Sequence, residues 1–345
     1  MATAWFCFLA AMIAVYVVLD GFDLGVGALH LWLARTEEER EQATEAIGPV
    51  WNGNEVWLIA GGGVLFMAFP VAYAAAFSGL YFGLILVLWL LVGRGLALEL
   101  RHQIANPLWR AACDAVFCLS SAALAFVFGV ALGNIVRGVP LQADETFHLS
   151  LFETLNWYAL LVGVFGLVVL CAHGAGFLAV RATGAMAQRA QRAARRLAWL
   201  VGLLFVAMIA PTAAVREAMF TNLVDHPWRL AFPALAVLAL VVRFVAQHRG
   251  AWGVAFTASS LFIVGLLTTM AAGLYPYILP AREHAPHGLT AQAAAAGHDA
   301  LRTALVWWPL GMVLAAVYFT FAYRMFFRTA TVRSTSAAID QPPTA

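Results

Sequence analysis

The chain has 345 residues, of which 63% are hydrophobic and 11% charged, and its mean hydropathy is +0.83. A soluble domain carries roughly 25% charged residues, so the composition excludes an ordinary soluble protein and marks an integral membrane protein. The formal net charge is +2, all 20 basic residues are arginine, and nothing in this balance points to nucleic acid as a partner.

Apolar segments fall at about 5–33, 54–76, 78–100, 112–135, 155–180, 197–215, 230–247, 252–278 and 303–327. Most reach the roughly 20 residues that a spanning helix needs. The expectation is an all-α integral membrane protein of about nine transmembrane helices. The first run has no basic region before it and continues into an acidic motif, so it reads as an uncleaved membrane helix. The chain divides near residue 190, which predicts two four-helix bundles plus one peripheral helix. Asp20-Gly21 precedes an Arg-bearing loop, and His173-Gly174 does the same, a faint echo of a repeat over roughly 1–150 and 151–328. Residues 1–328 form the polytopic domain, and the tail 329–345, rich in Thr, Ser and Pro, reads as disordered and cytoplasmic.

Orientation follows from arginine bias. Loops after odd-numbered helices, with the C-terminus, hold 14 of the 20 arginines, and the opposite side holds five. This places the N-terminus outside and the C-terminus in the cytoplasm.

Two motifs stand out because they put acids in or beside apolar runs. Asp20 and Asp23 lie deep in the first run, and Asn52 and Glu55 open the second. A carboxylate at mid-helix costs about 2.5–3.5 kcal/mol on insertion scales, so it faces a cavity or a partner. Members of each pair are three residues apart and share a helix face. A short connection favours antiparallel packing of the two helices. The result is a polar pocket within the membrane, opening toward the charged loop at about 35–45. Trp51 and Trp57 flank the second motif as pocket support or as interfacial aromatics. Arg94, Glu99 and Arg101 form a candidate ion-pair cluster. Gly21, Gly25, Gly27, Gly61 to Gly63, Gly79 and Gly83 suit close helix approach.

No metal site is expected. Cys7, Cys113, Cys118 and Cys171 lie in apolar runs without a C-x-x-C and read as buried small hydrophobes. His284, His287 and His298 fall in an Ala-rich loop and read as solvated. A membrane haem needs axial ligands facing across a bundle. Of the nine histidines, His173 sits clearly inside a helix and His30 near the end of one, which argues against a multi-haem protein built from this chain alone.

The stretch from Asp20 to Gly27 and the stretch from Val50 to Ile59 resemble subunit II of cytochrome bd-type quinol oxidases. So do Phe69-Pro70 with Tyr73 to Gly79, and Thr269 to Tyr277. The Trp-Asn-Gly-Asn-Glu-Val-Trp form resembles more the cyanide-insensitive branch. The resemblance spans nearly the whole chain and implies a subunit of a bacterial inner-membrane terminal oxidase that oxidises quinol and reduces oxygen to water. It implies haems b and d in a partner subunit I, none firmly bound by this chain, with room for a quinone. Further implied partners are a small single-helix subunit and the lipid bilayer. In the family subunit II packs against subunit I and is implicated in leading cytoplasmic protons to the oxygen-reducing site. Asp20 matches a position assigned to that path. The second such position is commonly Asp but is Asn52 here, so a two-acid relay does not carry over intact, and Glu55 is the candidate replacement. Without the resemblance, a secondary transporter with an intramembrane acidic ion site fits the same residues. A purely structural subunit is a third reading.

Overall fold

A computed structural model describes residues 1–142, 144–282 and 288–339, with side chains through residue 325. The chain runs through α1 (Ala2–Leu33), α2 (Glu37–Ile47), α3 (Trp51–Ala68), α4 (Pro70–Gly79), α5 (Tyr81–Leu100), α6 (Pro107–Arg137) and the short α7 (Leu151–Thr154). It continues through α8 (Trp157–Arg181), α9 (Gly184–Ala207), α10 (Ile209–Val215), α11 (Glu217–Val224), α12 (Ala231–His248) and α13 (Trp252–Leu274). A small antiparallel ladder, β1 (Tyr277–Leu279) and β2 (Leu289–Thr290), precedes α14 (His298–Ile339).

Local chemistry sets the boundaries. α2 opens with a capping box: the Thr36 hydroxyl accepts from the Glu39 N–H, and the Glu39 carboxylate accepts from the Thr36 N–H, both at 3.3 Å. α6 starts at Asn106-Pro107. Asn106 Oδ1 accepts from the Leu108 N–H at 2.8 Å, and Pro107 has no N–H to leave unpaired. Gly138, at φ +91°, ends it in a conformation that suits glycine. Between α3 and α4, Phe69 leaves the helical region just before Pro70, as expected ahead of a proline.

Eight helices among the described residues are long and apolar enough to cross a membrane. The expected span at 54–76 is α3 plus α4. It falls outside that count because it is broken at Phe69-Pro70 and opens on Trp51-Asn52-Gly53-Asn54-Glu55. The two shortest expected spans extend to Gly184–Val215 and Pro227–His248.

Contacts sort the helices. α1 packs on α3 and α6, and α5 on α6; α8 packs on α9 and α13, and α12 on α13. α14 leans on the first group from the edge, through Trp308 against Trp5 at 5.9 Å and Phe319 against Trp57 at 5.6 Å. The two groups meet where α8 packs along α6 and crosses α1. There a Cβ on Gly25 would overlap the Leu170 carbonyl, and one on Gly174 would overlap the Gly25 backbone, so backbone touches backbone. Among the described residues of this chain nothing packs on Gly62, Gly63 or Gly83, so the close approach expected of them is not made within it.

The loops after the first, third and fifth expected spans gather at one end. Arg101 and Arg110 both bond Glu37, at 3.0 and 3.1 Å. Gln42 Nε2 donates to Thr183 Oγ1 at 2.7 Å, and Arg189 pairs with Glu39. At the opposite end Arg216 bonds the carbonyls of Val136, Arg137 and Ala281. Cys113 and Cys171 are buried, but Cys7 is exposed on α1. His298 is exposed at the start of α14. His284, His287 and residues 340–345 of the expected tail lie outside the described residues, and α14 is helical to Ile339.

Candidate functional site in the first helix group

Tyr16, Asp20, Asp23, Gly27 and His30 follow three- and four-residue spacing, so they share one side of α1. This arc faces α3, α5 and α6. Asp20 receives a two-pronged bond from Arg94 of α5, Nη2 to Oδ1 at 2.5 Å and Nη1 to Oδ2 at 2.9 Å. Asp20 is 0% and Arg94 1% exposed. A pair this deep holds together because its desolvation cost is met by close, directional geometry. The Arg94 guanidinium also lies 5.9 Å from the Trp51 ring, within cation–π range.

Asp23, one turn along, takes a different partner. Its Oδ2 accepts from Asn54 Nδ2 at 2.8 Å, and Asn54 Oδ1 accepts from the Tyr323 hydroxyl at 2.8 Å. Asn54 therefore ties α1, α3 and α14 together. Glu55 is half-buried beside this pair and interacts electrostatically with Arg94 and Asp20. Among the described residues one guanidinium, Arg94, thus serves three carboxyls. With all three ionised the pocket carries charge −2, and it is neutral with two protons bound.

A second ionic cluster lies further toward the α2 end. Asp114 of α6 is 1% exposed. Its Oδ1 accepts from Arg101 Nε at 2.6 Å and from His30 Nε2 at 2.9 Å, and its Oδ2 accepts from Arg40 Nη1 at 3.2 Å. Arg101 extends the network to Glu37.

The structure therefore brings Asp20, Asp23, Glu55, Trp51 and Arg94 together. Asn52 points outward and is exposed, apart from them. Trp57 packs at a tilt against Phe319 rather than on the acids. The Arg94, Glu99 and Arg101 cluster does not form: Arg94 takes Asp20, Arg101 takes Asp114, and Glu99 is exposed. Sequence reasoning missed Asn54, Asp114, His30 and Tyr323 as site residues. Asp114 carried a readable signal, an acid inside the run at 112–135.

His173 does not suit haem. His173 bonds Ser259 through Nδ1 at 2.9 Å and the Val18 carbonyl through Nε2 at 3.0 Å, so neither ring nitrogen is open to an iron. His30 Nε2 is held by Asp114. Between the two helix groups lies an apolar cavity of about 480 Å³, lined by Leu24 of α1 and Phe128 of α6 on one side and by Phe165, Phe205, Leu266 and Met270 on the other, among others.

A sequence model of the family described as cytochrome bd terminal oxidase subunit II matches residues 1–326. The chain is 33% identical to a probable cytochrome oxidase subunit 2 of Haemophilus influenzae, covering 94% of this chain and 93% of that one. It is 32% identical to cytochrome bd ubiquinol oxidase subunit 2 of Bacillus subtilis, covering 86% and 87%. It is 33% identical to cytochrome bd-I ubiquinol oxidase subunit 2 of Escherichia coli, covering 80% and 81%. In fold it is similar to a chain of the bd oxidase from Geobacillus thermodenitrificans, with a TM-score of 0.76 at 18% identity, covering 94% of this chain and 98% of that one.

Proposed function

The chain belongs to the cytochrome bd terminal oxidase subunit II family, and we propose that within its quinol-oxidising complex it carries protons toward the oxygen-reducing site. The chain is a multi-pass protein of a bacterial respiratory membrane, and its complex is an oxidoreductase that uses haem. The likenesses lend no support to a transporter. We assign haems b and d to subunit I: His173 has both ring nitrogens bonded, and His30 Nε2 is held by Asp114.

The observation that carries the proton role is the pocket of Asp20, Asp23 and Glu55 around Arg94. Reducing oxygen to water consumes protons as well as electrons. A buried site with more carboxyls than cations can bind and release protons, passing between neutral and net negative states while one cation offsets part of the charge. In this reading Asp20 and Asp23 hold protons. Arg94 fixes Asp20 in place, Asn54 orients Asp23, and Glu55 is the half-exposed acid at the pocket mouth. The Arg-rich end, where α2 and the loops before α6 and α9 gather, faces the cytoplasm. The N-terminus then lies outside and the C-terminus inside. The apolar cavity is where a quinone tail or an acyl chain would fit.

The test uses the tagged complex, purified in mild detergent and reconstituted into vesicles. A reduced-minus-oxidised spectrum identifies the haems, and the co-purifying bands identify subunit I and any small single-helix subunit. The Asp20→Asn complex is expected to assemble with full haem content but to turn over and take up protons at least about tenfold more slowly. Wild-type turnover in that variant would leave the chain a structural subunit.

A further inference from the structure

The arc of α1 joins the two clusters. His30 belongs to the Asp114 cluster and Asp23 to the Asp20 pocket, and Gly27 lies between them on the same side of the helix. At a rise of 1.5 Å per residue, His30 and Asp23 are about 10.5 Å apart along the axis. At Gly27, α6 comes so close that an added Cβ would run into Ser121 Oγ. Glycine here sets the Ser121 hydroxyl against the α1 backbone, between the two clusters.

Three polar atoms along this seam have no partner within the protein: His30 Nδ1, Ser121 Oγ and Asp23 Oδ1. All three residues are 0% exposed. A buried polar atom left unpaired costs about 1–3 kcal/mol, and native interiors meet that need with ordered water. His30 Nε2 faces the Asp114 carboxylate, which can only accept. His30 Nε2 therefore donates to Asp114, and Nδ1 is left for a water. At the outer end, Arg40 bonds Asp114 and is 27% exposed, so the Asp114 cluster reaches water.

We propose that a chain of internal waters, anchored by His30 Nδ1, Ser121 Oγ and Asp23 Oδ1 where α6 crosses Gly27, conducts protons from the Asp114 cluster to Asp23. About three or four waters at ordinary hydrogen-bond spacing cover the distance. Each water takes up one proton and releases another along its hydrogen bond, and the Ser121 hydroxyl does the same. One O–H bond breaks for each that forms, and no electrons move. The proton enters from bulk water at the solvent-exposed Arg40 end and ends on Asp23 Oδ1, which changes from carboxylate to acid. This route is separate from the pocket mouth at Glu55, and it rests on the proton-path reading of Asp20 and Asp23.

The test compares Asp23→Asn, Ser121→Ala and Ser121→Val in the assembled oxidase, with oxygen consumption measured in H2O and in D2O. Asp23→Asn is expected to slow turnover about tenfold or more. Ser121→Ala is expected to slow it about threefold, the rate equivalent of one lost hydrogen bond, and to raise the solvent isotope effect. Ser121→Val, which fills the seam, should slow it further with haem content unchanged. If Ser121→Val fails to assemble, Ser121→Ala decides the matter. Wild-type rates in the Ser121 variants beside a slow Asp23→Asn would overturn the water chain and leave the proton path intact, with Glu55 as its entrance. Slow Ser121 variants with an unaltered isotope effect would overturn it too, as a packing defect. A wild-type rate in Asp23→Asn would remove the proton-path reading and the water chain together.

Discussion

The Asp20–Arg94 pair permits a test that separates proton carriage from packing. Removing one partner of a buried ion pair costs about 3–5 kcal/mol, because the other charge is left uncompensated. The two single substitutions are not equivalent in this pocket. Arg94→Gln leaves Asp20, Asp23 and Glu55 with no cation among the described residues, so the full cost is expected. Asp20→Asn leaves Arg94 beside Asp23 and Glu55, and their charge offsets part of the loss. The cost should then fall nearer about 1–3 kcal/mol. The double substitution replaces the ion pair with two amides that can still bond each other, so stability should recover to within about 1–2 kcal/mol of the parent. Turnover should not recover, because the carboxyl is gone. The assays are the unfolding midpoint of the purified complex at a fixed scan rate, followed by haem absorbance, and oxygen consumption with excess quinol. Recovery of turnover together with stability in the double variant would refute the proton role of Asp20. Equal destabilisation by the two single variants would refute the charge accounting of the pocket.

Further outcomes follow from the same geometry. Glu55 faces Arg94 and Asn52 faces away, so Glu55→Gln should slow turnover more than Asn52→Asp does; equal wild-type rates in both would remove Glu55 from the path. Asn54→Leu removes the donor to Asp23 and the acceptor for Tyr323 and should cost about 2–4 kcal/mol, whereas Tyr323→Phe removes one bond and should cost about 1 kcal/mol. Limited proteolysis of α14 should report both losses, and intact protection in Asn54→Leu would argue against the three-helix tie. Glu39 carries a lowered pKa, chiefly because Arg189 donates to its carboxylate and then because the Arg35 and Thr36 N–H groups do, against the opposing effect of burial. Its folded pKa lies below the ordinary glutamate value, so its contribution is present above that ordinary value and is lost as pH falls through the folded one. Hydrogen-exchange protection in α2, taken relative to the intrinsic rate at each pH, should fall on acidification and, in Glu39→Gln, already at neutral pH. The gain in exchange should correspond to about 1 kcal/mol or less, as for other exposed ion pairs.

Much of the fold was legible because lipid imposes a simple rule. Each spanning run must be apolar and long, and hydropathy finds such runs directly. Where the reading fell short, the physics was local and specific. The loop at 34–50 contains α2, whose Thr36-x-x-Glu39 capping box was present in the sequence but was hidden by its surrounding charge. The span at 54–76 is interrupted at Phe69-Pro70, where hydropathy stays high while the backbone turns.

The site was legible in part for the opposite reason. An acid in an apolar run is conspicuous wherever it lies, which is how Asp20 and Asp23 announce themselves. Its partner is not conspicuous, because depth in the membrane selects it rather than distance along the chain. Arg94, Glu99 and Arg101 are neighbours in sequence, yet α1 and α5 run in parallel toward the α2 end, so their residues meet in rows. Arg94 is level with Asp20, and Arg101 is level with the Asp114–His30 pair, two turns further on. Glu99 lies off the shared face and meets neither. The same rows account for His30, which as an isolated histidine suggests a haem ligand and in its row is the companion of a carboxylate. Between the rows the decisive residue on α1 is Gly27. It contributes no side chain, and its part is to let the Ser121 hydroxyl come against the α1 backbone, where a Cβ would overlap it.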